Sequence, residues 1–449
     1  MGKSKLFGCT VAMFLLLLGS VGQSYADSTS KLIDILIKKG VLTHQEAMQI
    51  EQEARQQEKP AVAATPAAQP AMAARNEAAR QGSPVLSTSN IELGYKKGAY
   101  LKTTDGRFSV KLNVGLEPYY TFDYNESGSN STTFRIRRAR VYLKGNVAFP
   151  WLKYGTQITL EGDSHDPNNS IIRDAYLEDT YLKWLQPKVG QYKLPFDREF
   201  LDSGFDLELV ERSIASSEFS LQRDIGLQVG GELLNSHLNY AVGVFNGSGG
   251  NRLNVNTDYM YVGRVVWMPF DKLGYSQSAV DNPEKPRLAI GVGLAYMPGL
   301  EPGEREDLAG KLGSTSIVPV QSDVFQAVAD VGFAYKRLYT EGGFYFRNIN
   351  PDSSTLAPHG SQNAYGLYLQ GGWFFIPKRF EVAARYSFVD PDNPVKVSDN
   401  KINEGTIGAN YYFYGHRLKA QADYTYRVTE GVPSDIHEHI FESALVMMF

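Results

Sequence analysis

The run Arg417-Leu418-Lys419-Ala420-Gln421-Ala422-Asp423-Tyr424-Thr425-Tyr426-Arg427-Val428 changes character at every residue. One face carries Arg, Lys, Gln, Asp, Thr and Arg; the other carries Leu, Ala, Ala, Tyr, Tyr and Val. Alternation of this kind is a strand, since successive side chains of an extended backbone point to opposite faces. About ten such residues are what a tilted strand needs to cross a bilayer with one face in lipid and one in water. Residues 380–388 repeat the pattern, with Phe380, Val382, Ala384, Tyr386 and Phe388 against Glu381, Ala383, Arg385 and Ser387. A soluble sandwich also alternates, so the number of strands and their connections must decide.

Working outward, strands are predicted at 107–123, 132–148, 152–163, 170–183, 186–194, 223–233, 236–246, 256–268, 286–297, 322–336, 338–348, 362–375, 378–389, 401–413, 416–429 and 437–449. That makes sixteen, an even number, as single-chain bacterial barrels have. Short turns follow most even-numbered strands: Phe149-Pro150-Trp151, Gln186-Pro187, Asn235-Ser236, Lys336-Arg337, Ile376-Pro377-Lys378 and Tyr414-Gly415. The connection from Asp271 to Lys285 is the exception. Odd-numbered strands end in longer polar loops, such as Pro298 to Gln321. Short turns on one side and long loops on the other is the outer-membrane pattern, with the short turns periplasmic. The fold expected is all-β: a 16-stranded antiparallel transmembrane β-barrel over 98–449, behind a short N-terminal periplasmic helical segment and a linker.

The start of the chain agrees with export. Lys3 and Lys5 precede an apolar run from Leu6 to Leu18, and Ser24-Tyr25-Ala26 supplies small residues for cleavage, so 1–26 is expected to be a signal peptide. The run is too short for a membrane-spanning helix of ~20 residues. The one cysteine of the chain, Cys9, would leave with it, and disulfide and thiolate chemistry with Cys9. Cleavage also leaves 43 basic against 49 acidic residues, which argues against a nucleic-acid partner. Residues 27–58, with Leu32, Ile33, Leu36 and Ile37 at helical spacing, read as a helical, coiled-coil-like periplasmic segment. Residues 59–97 are Ala- and Pro-rich and read as linker. At the other end Phe441, Leu445, Met447 and Phe449 share one strand face, and a terminal aromatic there reads as a signal to the barrel-assembly machinery.

Sixteen strands leave a water-filled interior. With polar faces inward, Lys111, Arg138, Arg140, Lys144, Lys153, Lys193, Arg385, Arg417, Lys419 and Arg427 become lumenal cations, set against Glu117, Glu161, Asp330, Glu341, Glu381, Glu404 and Asp423. Charges in a narrow lumen set ion preference. The densest basic run is Phe134-Arg135-Ile136-Arg137-Arg138-Ala139-Arg140-Val141-Tyr142-Leu143-Lys144. Strict alternation puts Arg138, Arg140 and Lys144 inward and leaves Arg135 and Arg137 above the hydrocarbon. A row of guanidinium groups can hand an anion along by bidentate contacts; equally, it can pair with lumenal carboxylates and hold the barrel in shape. The long third loop, Pro195 to Gln222, either folds inward as a constriction or lies as a surface lid. It carries Asp197, Glu199, Asp202, Asp206, Glu208, Glu211 and Glu218 against Arg198 and Arg212, and such a constriction would favour cations.

Several of these stretches resemble the family of phosphate-selective porins O and P: Phe134 to Arg140, Asp174-Ala175-Tyr176-Leu177-Glu178, Val189-Gly190-Gln191-Tyr192-Lys193-Leu194-Pro195-Phe196 and Leu209-Val210-Glu211-Arg212-Ser213. Arg223-Asp224-Ile225-Gly226-Leu227-Gln228-Val229 and Gly243-Val244-Phe245-Asn246-Gly247 complete the resemblance. It implies a trimeric 16-stranded channel in a Gram-negative outer membrane, taking anions such as phosphate or polyphosphate past an arginine ladder and a lysine-bearing constriction. Arg138 and Arg140 match the ladder's motif. No cofactor is expected, and the partners are outer-membrane lipid and small ionic solutes. Two other functions compete: a general or cation-leaning porin, and a barrel that sheathes or anchors another protein. An enzyme does not, since neither a nucleophile elbow nor a Gly-rich phosphate loop is present, and His437-Glu438-His439 lacks a third metal ligand.

Overall fold

The computed structural model describes residues 86–88, 90–126, 128–161, 171–305, 320–352, 360–391, 401–431 and 434–449, all within the compact unit Ala79–Phe449. The expected signal peptide, helical segment and most of the expected linker lie outside the described residues.

Three short strands come first: β1 (Leu86–Thr88), β2 (Ile91–Tyr95) and β3 (Ala99–Thr103). The first eight barrel strands are β4 (Ser109–Asn125), β5 (Ser131–Asn146), β6 (Leu152–Thr159), β7 (Ile172–Asp179), β8 (Gln186–Lys193), β9 (Arg223–Leu233), β10 (Leu238–Phe245) and β11 (Met260–Trp267). The remaining eight are β12 (Arg287–Leu300), β13 (Ser322–Tyr335), β14 (Leu338–Pro351), β15 (Gln362–Ile376), β16 (Phe380–Asp390), β17 (Ile402–Tyr412), β18 (Leu418–Thr429) and β19 (Ile436–Met448). Each pairs antiparallel with the next, and β19 closes on β4 from Glu438↔Asn125 to Met448↔Gly115. All sixteen predicted barrel strands are present, their ends agreeing to within about four residues. Closure leaves no sheet edge in the hydrocarbon, where an unpaired backbone group has no water to bond.

The outer face is apolar. Val265, Ile290, Val292, Leu369 and Ile407 are exposed along its middle. Tyr261, Tyr296, Tyr365 and Tyr386 ring the long-loop end, and Trp267, Trp373, Tyr411 and Phe413 ring the short-turn end. Two aromatic girdles around an apolar band are what a barrel needs at the two membrane interfaces.

Three features depart from the sequence reading. First, a β-bulge at Glu117/Pro118 opposite Arg138/Ile136 leaves Arg137 as an extra residue on β5. The bulge reverses parity above it, so Phe134 and Ile136 face outward. Arg135 sits 4.8 Å over the ring of buried Tyr119, and Arg137 turns to the third loop. Both arginines are therefore lumenal, not above the hydrocarbon. Second, β1 and β2 lie within the stretch read as linker. They form a meander with β3, which pairs with β4 at Ala99↔Leu112 to Lys102↔Ser109. This is the edge of β4 that β19 leaves vacant below Gly115, so the ribbon continues the sheet past the closing strand. Third, residues 268–286, the long exception among the short turns, fold into the lumen. Leu273 and Ala279 pack there against Ala334, Tyr339, Phe374 and Tyr412.

Candidate functional site: the lumen and its constriction

The third loop, 194–222, folds inward and is among the most deeply buried parts of the chain; Phe205, Ser213 and Leu221 have no exposed surface. It contains two short helices, α1 (Arg198–Leu201) and α2 (Ile214–Phe219). Asp197 caps the first by accepting from Phe200 N at 2.9 Å, and Ser213 Oγ caps the second by accepting from Ser216 N at 3.0 Å. Carbonyls at the end of α1 would be left without partners. Lys193 Nζ donates to those of Phe200 (2.7 Å), Leu201 (3.2 Å) and Asp202 (2.8 Å), and Arg212 donates to Glu199 O (3.0 Å) and Asp202 O (2.7 Å).

Wall side chains of β11 to β18 hold the loop along its length. Arg264 donates to the Phe196 carbonyl and pairs with Asp330 at 2.7 Å. Asp330 in turn accepts from Arg198 N at 3.2 Å, and the Arg198 guanidinium pairs with Glu341 at 2.8 Å. Gln370 donates to Glu208 at 2.8 Å, Asn410 donates to the Glu208 carbonyl at 2.6 Å, and Lys419 donates to the Leu207 carbonyl. Val210 N donates to Asp423 at 2.8 Å, Arg385 to Glu211 O at 2.8 Å, and Arg347 pairs with Glu218 at 2.7 Å. Apolar side chains pack beneath: Phe196, Ile214, Phe219 and Leu221 join Met260, Val262, Val324, Val328 and Tyr345 in a core inside the barrel.

The inturned 268–286 segment locks this arrangement from the opposite end. Gln277 N donates to Asp206 O at 3.2 Å, Glu208 N donates to Gln277 Oε1 at 2.9 Å, and Arg198 donates to Gly274 O at 2.6 Å. Two segments entering from opposite mouths are therefore bonded to each other and to the β11–β18 wall.

Electrostatically, the acidic loop is largely spent. Burial pushes Asp197 up to about 6 and Glu199 up to about 7. It pushes Asp202 and Glu208 well above the usual carboxylate range, with Glu341 and Glu381 nearby adding to it. Glu211 is the opposite case: burial would raise it, but Arg137 and Arg138 outweigh burial and hold it at about 2.

The residues predicted to bind anions fall into three groups. Arg138, Lys193, Arg385 and Lys419 anchor the third loop; Arg138 is 2 % exposed between Glu117 and Glu211. Arg140 pairs with Glu161 at 3.1 Å on the wall, and Arg417 lies at the short-turn end against Tyr95, Lys97 and Met448. Lys111, Lys144 and Lys153 line the half of the lumen that the loop leaves open. Among the described residues no carboxylate lies within ion-pair distance of those three. The predicted loop residues are likewise placed: Arg198, Asp202, Glu208, Glu211 and Arg212 by the contacts above, and Asp206 through its carbonyl. Sequence reasoning missed Lys188, which sits 3.9 Å over the Tyr176 ring and 4.4 Å over that of Tyr192 on the same open half. It also missed Arg264, Arg347 and Gln277. Met260, Val262 and Val266, apolar on the lumenal face of β11, were the available signal, because a water-filled lumen gives no reason for them.

The family model described as Phosphate-selective porin O and P matches residues 108–445. Among solved structures, an anion-selective porin from Comamonas acidovorans superposes with TM-score 0.52 at 12% identity, covering 76% of this chain and 100% of that one. OprB of Pseudomonas putida gives 0.49 at 12% identity (77% and 95% covered), and the outer-membrane channel DcaP of Acinetobacter baumannii 0.48 at 13% (77% and 99%). Among curated proteins, no sequence matches the chain.

Proposed function

Because the chain belongs to the family of phosphate-selective porins O and P, outer-membrane channels of Gram-negative bacteria, we propose that it passes small hydrophilic anions, phosphate among them. The path is the space beside the third loop that Lys111, Lys144 and Lys153 line. One observation carries this reading: Glu199, Glu211 and Glu218 of the constriction pair with arginines of the wall, whereas no carboxylate among the described residues lies within ion-pair distance of Lys111, Lys144 and Lys153. In a narrow aqueous space the unpaired charges set the field that an ion meets.

The surroundings of the channel follow from the same surface. The apolar band contacts lipid, and Phe449, bonded through its backbone to Val114 and 58 % exposed, offers its ring to the assembly machinery. A homotrimer is supported by β6, β7 and β8, three consecutive strands of eight residues, a length that β10 and β11 share on the far side of the 11-residue β9. They fall short of the ~9–11 residues that a tilted strand in lipid uses, so a protein neighbour is the better cover for that sector.

The test is the reversal potential of the purified protein in a planar bilayer under a salt gradient. Anion preference reduced by added phosphate supports the reading; cation preference would mean that the loop acids set the eyelet after all, and no conductance would leave only a structural barrel.

A further inference from the structure

Glu208 of the third loop and Glu381 of β16 meet inside the barrel, and neither has any exposed surface. They share their neighbours. Asn410 donates to the Glu208 carbonyl at 2.6 Å and to Glu381 Oε2 at 3.0 Å. Gln277 and Ser278, consecutive in the inturned segment, take one each: Glu208 N donates to Gln277 Oε1 at 2.9 Å, and Ser278 Oγ donates to Glu381 Oε1 at 2.8 Å. Both Oε1 atoms crowd Gly372, where a Cβ would lie 1.8 Å from that of Glu208 and 3.0 Å from that of Glu381. The two carboxyl groups bond to each other.

No cation among the described residues lies within ion-pair distance of either. Arg198 is taken by Glu341, which also accepts from Tyr339 Oη and, at 2.8 Å, from Tyr368 Oη. Lys419 donates to the Leu207 carbonyl. His416 lies edge-on to Tyr412 at 5.5 Å, and burial holds its imidazole well below the usual value, hence uncharged. Burial likewise pushes Asp202 and Asp206 of the loop up. Glu381 accepts from Ser278, Asn410 and, at 2.6 Å, Tyr412. Glu208 accepts from Gln370 at Oε2, while its buried Oε1 meets no donor. Such an unmet buried acceptor is costly. A proton on Glu208 Oε1, donated to Glu381, satisfies that atom and removes one of two like charges.

We propose that Glu208 and Glu381 hold a single proton between them, and that its loss as pH rises parts the third loop from the inturned segment and widens the channel. Two carboxylates left side by side in a dry site repel with nothing between them. Glu381 is fixed in a strand laddered on both sides, to β15 and to β17, so the loop is the partner that yields. Once parted, Glu208 meets water and returns to its ordinary 4.5. The closed state keeps the proton and the parted state releases it to water, so above pH 4.5 each rise in pH favours the parted state. The switch concerns the width of the path and holds whichever ion the channel prefers.

The experiment records single-channel conductance of the full-length protein in a planar bilayer from about pH 6 to about pH 10, a range in which arginine stays charged. The ratio of wide to narrow levels should rise by up to about tenfold per pH unit, the limit set by one proton. E208Q should lose this rise, because its amide donates to Glu381 at every pH, and E381Q should lose it by donating to Glu208. Each variant keeps the size of the side chain, and gel mobility of the folded barrel checks both. A wild-type conductance flat with pH would overturn the switch. So would a rise that survives in both variants, which would belong to Asp197, Glu199 or Asp202. No conductance at any pH would overturn the channel reading and the switch with it.

Discussion

Arg198, the first residue of a one-turn helix inside the barrel, places its Nε 2.8 Å from a Glu341 carboxylate oxygen on β14, and neither side chain is more than 1 % exposed. An ion pair so buried costs much desolvation and returns it only while both partners are present. Removing one partner as R198M should therefore destabilise the barrel by about 3–5 kcal/mol, whereas R198M/E341M should cost well under the sum of the two single changes. Thermal unfolding followed by gel mobility reads both; additive losses would mean that the two residues act separately.

Glu211 gives a pH prediction. Its folded value of about 2 lies below the ordinary 4.5, so its contribution is complete above pH 4.5 and is lost as pH falls toward 2. About a quarter of the side chain is exposed, and water screens part of the effect. Channel conductance should accordingly not change through this group between pH 7 and pH 4.5, and should become noisier below pH 3. A transition near pH 4.5 that E211Q abolishes would show an ordinary carboxylate there.

Selectivity and stability should separate along the lumen wall. K144E is expected to move the reversal potential toward cations while leaving the unfolding temperature nearly unchanged, because it breaks no ion pair among the described residues. R138Q should do the reverse in emphasis, lowering stability by about 3–5 kcal/mol through the stranded charge of Glu117. If K144E left the reversal potential unmoved, the path would not run along β5.

Gly372 tests the seat of the loop. A Cβ there would lie 1.8 Å from Glu208 Oε1 and 3.0 Å from Glu381 Oε1, so G372A must expel the Glu208 carboxylate. The expected cost is about 1–3 kcal/mol, with larger and noisier single-channel currents. G405A, where a Cβ meets nothing within 4 Å, is the control. Identical recordings from both would show that Glu208 does not secure the constriction.

The barrel was legible because lipid enforces a strict rule on every outward residue, and the rule leaves a period of two in runs such as 417–428. Loop parity was legible for a related reason, since the chain must return to the same side after each pair of strands. Within the lumen no such rule operates. Arg137 could not be placed because a single extra residue on β5 reverses which side chains point inward. The third-loop acids looked like a cation filter because their partners, Arg138, Arg347 and Arg385, lie far away in sequence. The ribbon did leave a trace: Ile91-Glu92-Leu93-Gly94-Tyr95 alternates, and Lys97-Gly98 is turn chemistry, but five residues are too few to stand out from a linker.

The loop is gripped unevenly around the circumference, and the wall is cut to receive it: Gly332 leaves room for the Arg198 guanidinium, Gly372 for the Glu208 carboxylate and Gly115 for the Phe205 ring. A mould of this kind divides the molecule into a frozen arc and a permissive one. Mutations at positions that grip the loop, on β11 to β18 and at Gly115, Arg137 and Arg138 of β4 and β5, must keep step with it, whereas those at Lys111, Lys144 and Lys153 break no ion pair among the described residues. Descendants of this chain can therefore acquire a new taste in solutes by changing a few lysines, without renegotiating the architecture that keeps the pore narrow.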